Sequence, residues 1–188
     1  MKRYDVINAL IQAYSLDSYL EIGLRTGMSF KNVTCNHKES VDPSWSPTYK
    51  MTSDMFFATN KNKYDIIFID GLHEEEQVYR DIKNSLKCLN SGGFVVLHDC
   101  NPPTIEHTAL NVNGTVYKGF LKAMHDIKGY SFFTVDTDHG CGVITKRKMF
   151  KSSNIPDNIS WEVFDLNRNE LLGLLTPENF TDTINKCK

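Results

Sequence analysis

At 188 residues, with 40% hydrophobic and 23% charged side chains, the chain has the size and make-up of one globular domain with its own core. A formal charge of −2 supplies no whole-protein attraction to nucleic acid or an anionic membrane, and the longest apolar runs, near 66–69 and 94–97, are far too short to cross a bilayer. Five cysteines, odd in number and without a C-x-x-C pair, argue against a zinc ribbon or a disulfide framework and for reduced thiols in the cytoplasm.

Val6, Ile7, Leu10, Ile11 and Tyr14 recur at helical spacing, which predicts an amphipathic helix over 4–14; Asp5, Asn8 and Gln12 break any signal-peptide core there. Residues 18–23 read as a short buried strand ended by Gly23, and the turn 24–27 feeds a short helix from Met28. A second strand spans 39–42, closed by Pro43, and a weaker third lies around 49–52. Ser53 or Asp54 then caps a helix holding Phe56 and Phe57. The strongest strand, 64–70, is a continuous β-branched and aromatic run, as in a parallel sheet covered on both faces. A helix over 74–89 carries Val78, Ile82, Leu86 and Leu89 on one face, and Gly92-Gly93 stops it before a buried strand at 94–97. A helix at 115–128 and an antiparallel pair, 130–135 with 142–145, complete the order. Four Asn-x-Ser/Thr triplets, at Asn32, Asn113, Asn158 and Asn179, are chance matches in an asparagine-rich chain.

Strand–helix alternation, repeated about five times before a terminal hairpin, gives an α/β fold. It predicts a Rossmann-like doubly wound sheet, mostly parallel, whose ligands bind at the carboxyl ends of the strands. Gly23 and Gly27 there let the backbone turn sharply, and Asp42 ends the neighbouring strand, where it can accept the hydroxyls of a ribose. The combination points to a nucleoside. NAD wants G-x-G-x-x-G, because pyrophosphate sits on the helix N-terminus; this turn is G-x-x-x-G, with Arg25 in the middle and acidic Glu21 just before it. Cationic S-adenosylmethionine (SAM) suits such a lining better.

Glu21-x-Gly23-x-x-x-Gly27, Asp42, Ser53-Asp54, Asp70-Gly71-x-His73 and Gly92-Gly93 followed by His98-Asp99 together resemble the class I SAM-dependent methyltransferases. The resemblance covers about 16–146 and is nearest the small-molecule and macrolide-sugar O-methyltransferases, the seven-strand type. It implies that Glu21, Gly23 and Gly27 line the methionine part of SAM, Asp42 holds the ribose, Ser53 and Asp54 flank the adenine, and Asp70 and His73 border the cofactor. In metal-dependent members, oxygen ligands at two strand ends hold a divalent ion, Mg or Mn; the matching positions here are Asp70, His98 and Asp99. Histidine at 98 departs from the usual acid and suits Mn, Fe or Zn better than Mg.

Methyl transfer to oxygen needs a deprotonated hydroxyl, so without metal His98 or Asp70 is the general base. Asp138 and His139 read as hairpin-turn residues, Tyr117 and Lys118 as a solvated helix start, and His107 and His125 as surface residues. Trp45 either stacks on adenine or packs on a loop, and Arg25 serves either the SAM carboxylate or the surface. The expected division is a SAM-binding domain at 1–150 and an extension at 151–188 packed on it, with Thr176 and Pro177 opening a last helix. The expected function is O-methylation of a small hydroxylated molecule, such as a sugar or glycan unit. No nucleic-acid or membrane partner is expected, and the apolar tail offers a homo-oligomer contact. An NAD-dependent oxidoreductase and a non-catalytic module on the same fold are the alternatives.

Overall fold

In the computed structural model, residues 1–150, 155–156 and 159–187 are described. The elements in chain order are α1 (Arg3–Tyr14), β1 (Ser18–Ile22), α2 (Met28–Asn32), β2 (His37–Val41), α3 (Ser53–Thr59), β3 (Tyr64–Ile69), α4 (Glu75–Lys87) and β4 (Leu89–Leu97). After a 3₁₀ turn at Ile105–Thr108 come α5 (Val116–Asp126), β5 (Ser131–Val135), β6 (Cys141–Thr145), α6 (Trp161–Leu171), β7 (Leu174–Leu175) and α7 (Pro177–Lys186). The strands form one sheet in the order β2-β1-β3-β4-β6-β5-β7. β2, β1, β3 and β4 run parallel, and β6 lies antiparallel to both β4 and β5.

Alternate strand residues serve opposite faces, as a pleat requires. Leu20, Ile22, Ile67, Ile69, Val95 and Leu97 meet Val78, Ile82, Phe120, Met124 and Phe164 from α4, α5 and α6. Tyr19, Ile66, Phe68, Phe94 and Val96 meet Val6, Leu10, Phe180 and Ile184 from α1 and α7. Both faces of β3 and β4 are therefore covered, which is why their sequences are continuously apolar.

Two strand expectations need correction. Residues 49–52 form no strand; Tyr49 makes a single bridge to Val41, and beyond it Met51 N turns back to the Tyr49 carbonyl oxygen while Ser44 N goes to Asp42 Oδ1. The seventh strand is instead Leu174–Leu175, which pairs in parallel with β5. Its segment is anchored by fully buried Phe164 and Phe180, each contributing about 1.5–3 kcal/mol. Thr176 caps α7 through the Asn179 amide, with Pro177 in the first turn as expected. In α3 the cap is Thr52, whose hydroxyl accepts from Met55 N at 3.3 Å; Ser53 and Asp54 lie in the first turn behind it. Asn113 is buried, so it is no glycan acceptor, and Asn158 lies outside the described residues. Among the described residues no helix is long and apolar enough to cross a membrane.

Candidate active site

β3 and β4 are neighbours and end together, so the residues following them, Asp70 and His98-Asp99, emerge side by side. Gly23, at the end of β1, makes this crowding feasible. Its φ is +91°, and a Cβ there would lie 2.1 Å from the Asp70 carbonyl oxygen. Only glycine lets the first strand end so close to the third.

Asp70 Oδ1 faces two imidazoles, His73 Nε2 at 3.4 Å and His98 Nδ1 at 3.5 Å, while its Oδ2 faces Arg3 Nε at 3.7 Å. Burial disfavours charge on Asp70, but the His73 and His98 imidazoles outweigh it and hold the carboxyl far below the usual carboxylate range. His98 Nδ1 lies 2.9 Å from Asp99 Oδ1. Burial works against charge on His98 too, yet Asp70 and Asp99 prevail and raise it to about 9. The Asp70 carboxylate also raises His73. Asp99 stands at φ +61°, a left-handed conformation rare for a side-chain-bearing residue. It is held there by His98 and by the Asn113 amide, which donates to Oδ1.

Three residues that the sequence did not assign to the site join this mouth. Arg3, the first residue of α1, reaches His98 Nε2 at 3.0 Å, donates to Asp138 Oδ2 at 2.9 Å and to Ser29 Oγ at 3.1 Å. Asp138 is thus more than a turn residue: it also takes the Arg3 main-chain amide, and these bonds outweigh burial and lower its pKa. Asn113 links Asp99 to His139 Nδ1 at 3.2 Å. The Asp-His-Gly turn was the signal available for Asp138. Nothing near Arg3 in the chain announces its role.

The expected cofactor residues fall into separate groups. Glu21 is buried beneath the mouth and accepts the Tyr19 hydroxyl; burial raises it to about 8, against the opposing pull of that bond. Asp42 Oδ2 accepts from Leu24 N at 3.0 Å and Arg25 N at 3.1 Å, and its Oδ1 from Ser44 N at 2.8 Å and Trp45 N at 3.3 Å. Gly27 stands at φ +71°, and a Cβ there would meet no atom nearer than 3.5 Å. A cleft of 680 Å³ beside this turn is bordered by Arg25, Gly27 and exposed Trp45. Ser53 and Asp54 turn toward α4, where Gln77 Nε2 donates to both, at 3.2 and 3.4 Å. Tyr117 is no solvated residue; it is buried against Phe164, 4.5 Å between ring centres.

Residues 30–100 match the family model described as a methyltransferase domain. That match contains β2, α3, β3, α4 and β4, and with them Asp42, Asp70, His73, His98 and Asp99. No curated protein matches the chain in sequence. Among solved structures, an O-methyltransferase from Bacillus cereus in complex with SAH is 14% identical, over 76% of this chain and 78% of that one, with a TM-score of 0.56. The O-methyltransferase TomG from Streptomyces achromogenes, in complex with SAM, is 12% identical over 76% and 78%, also at 0.56. At such identities the likeness is one of fold: an α/β sheet of the kind those methyltransferases have.

Proposed function

We propose that this methyltransferase domain is a SAM-dependent O-methyltransferase for a small hydroxylated molecule, with sugars and glycan units the first acceptors to test. The observation that carries the reading is the His98–Asp99 pair beside Asp70 at the ends of adjacent strands. Bound SAM supplies a methyl group on a sulfonium cation. The chain's own task is then to hold the acceptor and remove its hydroxyl proton. His98 is the base in its deprotonated form, a form that grows as pH rises toward its raised pKa of about 9; Asp99 holds its Nδ1 side and Arg3 Nη1 lies 3.0 Å from Nε2. Asp70, kept ionised, balances the imidazolium that forms.

The glycine turn fits SAM better than a dinucleotide. Pyrophosphate needs free main-chain amides at such a turn, and those of Leu24 and Arg25 already donate to Asp42. Glu21, Gly23 and Gly27 are assigned to the methionine part, Asp42 to the ribose, and Ser53 with Asp54 to the adenine. Four main-chain amides engage the lone pairs of Asp42, so its share in ribose binding comes with loosening one of them.

A divalent metal also fits this mouth. Donor atoms of Asp70, His73 and Asp99 lie within 4.8 Å of one another. His73 Nδ1 is 2.7 Å from the Val112 carbonyl oxygen and so carries a proton, which turns Nε2 toward Asp70 as a ligand. His98 is turned to Asp99 and Arg3 instead, so His73 replaces it in the ligand set. Such an ion would act as a Lewis acid on the acceptor oxygen, and an imidazole ligand favours Mn over Mg. The cytoplasm is the proposed compartment, in keeping with five free cysteines; a homo-oligomer through the tail is a further proposal, motivated by exposed Val163 and Leu166 on α6.

The test is release of S-adenosylhomocysteine from SAM with a panel of hydroxylated acceptors, with and without Mn. Turnover that His98→Ala abolishes is the expected result. A protein that binds SAM yet yields no product with any acceptor would count against the reading.

A further inference from the structure

We propose that Val112 and Asn113, two consecutive loop residues, are positioning residues for the metal site: they orient His73 and Asp99 toward a divalent ion. This rests on the metal reading of the mouth, in which Asp70, His73 and Asp99 are the ligands. A carboxylate has two oxygens, and what engages one decides which is left for an ion. Asp99 Oδ1 accepts from the Asn113 side-chain amide and lies 2.9 Å from His98 Nδ1. Its Oδ2 is left on the side of His73, 3.6 Å from the ring. The Asn113 amide presents Nδ2 to the carboxylate, and its Oδ1 lies 3.2 Å from His139 Nδ1. One position earlier, the Val112 carbonyl oxygen lies 2.7 Å from His73 Nδ1, which leaves Nε2 to face Asp70 at 3.4 Å.

The loop is built to lie against His73. Thr115 N donates to the His73 carbonyl oxygen at 2.9 Å, and Asn113 N donates to the His107 carbonyl oxygen at 2.9 Å. Between them stands Gly114, where a Cβ would fall 2.2 Å from the His73 carbonyl oxygen. Only a residue without one lets the loop come so close. Asn113 is buried, so its side-chain bonds are made away from water, where a stranded partner is costly. Ligands that follow two different strands, β3 and β4, are thus held by one short stretch, 112–115. Coupling of this kind is reciprocal: a loop that favours the ion is steadied by the ion to the same degree.

The probe is Mn alone, titrated into the full chain and followed by electron paramagnetic resonance, with circular dichroism to check the fold. Asn113→Ala should raise the Kd for Mn about 10–100-fold. Gly114→Ala, which pushes the loop off His73, should raise it too. Hydrogen exchange of the amides at 112–115 should slow when Mn is added to the wild type, and slow less in Asn113→Ala. A Kd unmoved in a folded Asn113→Ala overturns the proposal, even if the variant melts lower. Exchange at 112–115 that ignores the ion overturns it as well. Should Asn113→Ala fail to fold, Gly114→Ala and the wild-type exchange decide. Wild-type chain that takes up no Mn removes the metal reading and the proposal together, whereas wild-type binding with unmoved variants removes the proposal alone.

Discussion

Asp65 and Asp70 stand at opposite ends of β3, both partly buried, and their surroundings treat them in opposite ways. At the amino end, Asp65 accepts from Asp17 N, Ser18 N, Ser18 Oγ and Asn90 Nδ2, all at 2.8–3.0 Å. Glu39 there takes the hydroxyls of Tyr49 and Tyr64. At the carboxyl end, Asp70 meets its partners at 3.4, 3.5 and 3.7 Å, beyond ordinary hydrogen-bond length. A hollow of 520 Å³ lies at the amino end, lined by Glu39 and Tyr64 among others, but Glu39 already takes two tyrosine hydroxyls. Asp65, with its bonds satisfied, braces the fold, whereas Asp70, loosely matched to the imidazoles beside it at converging strand ends, is available for chemistry.

The sharpest break between the two ends comes from His98→Ala. It should lower methyl transfer by about 10²–10⁴-fold, the usual worth of a general base, while the folded state survives. Comparable loss of thermal stability would make His98 a structural residue instead. Asp65→Ala should do the reverse. Stranding several donors should cost about 1–3 kcal/mol in urea unfolding, with kcat unaltered. Asp42→Ala frees the Leu24 and Arg25 amides and should weaken SAM binding about tenfold, or 1.4 kcal/mol, by calorimetry. SAM affinity equal to wild type would remove Asp42 from the site.

Glu21 bears on stability alone. Its folded-state pKa, about 8, lies above the ordinary 4.5, so the folded chain holds a proton that the unfolded chain releases. Stability should therefore be fullest below the lower value and decline as pH rises through that window. Between pH 6 and 8.5 the expected fall in Tm is about 5–10 °C, and Glu21→Gln should flatten it. An identical pH slope in both proteins would show that Glu21 is not buried as a neutral acid.

Much of the fold is legible in the sequence, for local reasons. β3 and β4 advertise burial on both faces by unbroken apolar runs, and α4 and α5 by their helical spacing. Asp70, His98 and Asp99 are legible because a strand end is a readable place. Arg3 and Asp138 are not: they meet His98 across 95 and 40 positions of chain, and no local pattern encodes that closure. The 49–52 segment misleads because the Asp42 carboxylate takes the Ser44 amide and Met51 N turns back to Tyr49, competition invisible to periodicity. Leu174–Leu175 is too short to alternate at all.

The most direct test of the carboxyl end as a SAM site is calorimetric titration of SAM and of NAD into the 188-residue chain. Saturable one-to-one binding of SAM, weakened in Asp42→Ala, with no heat from NAD, is the expected result. Binding of NAD without binding of SAM would contradict it.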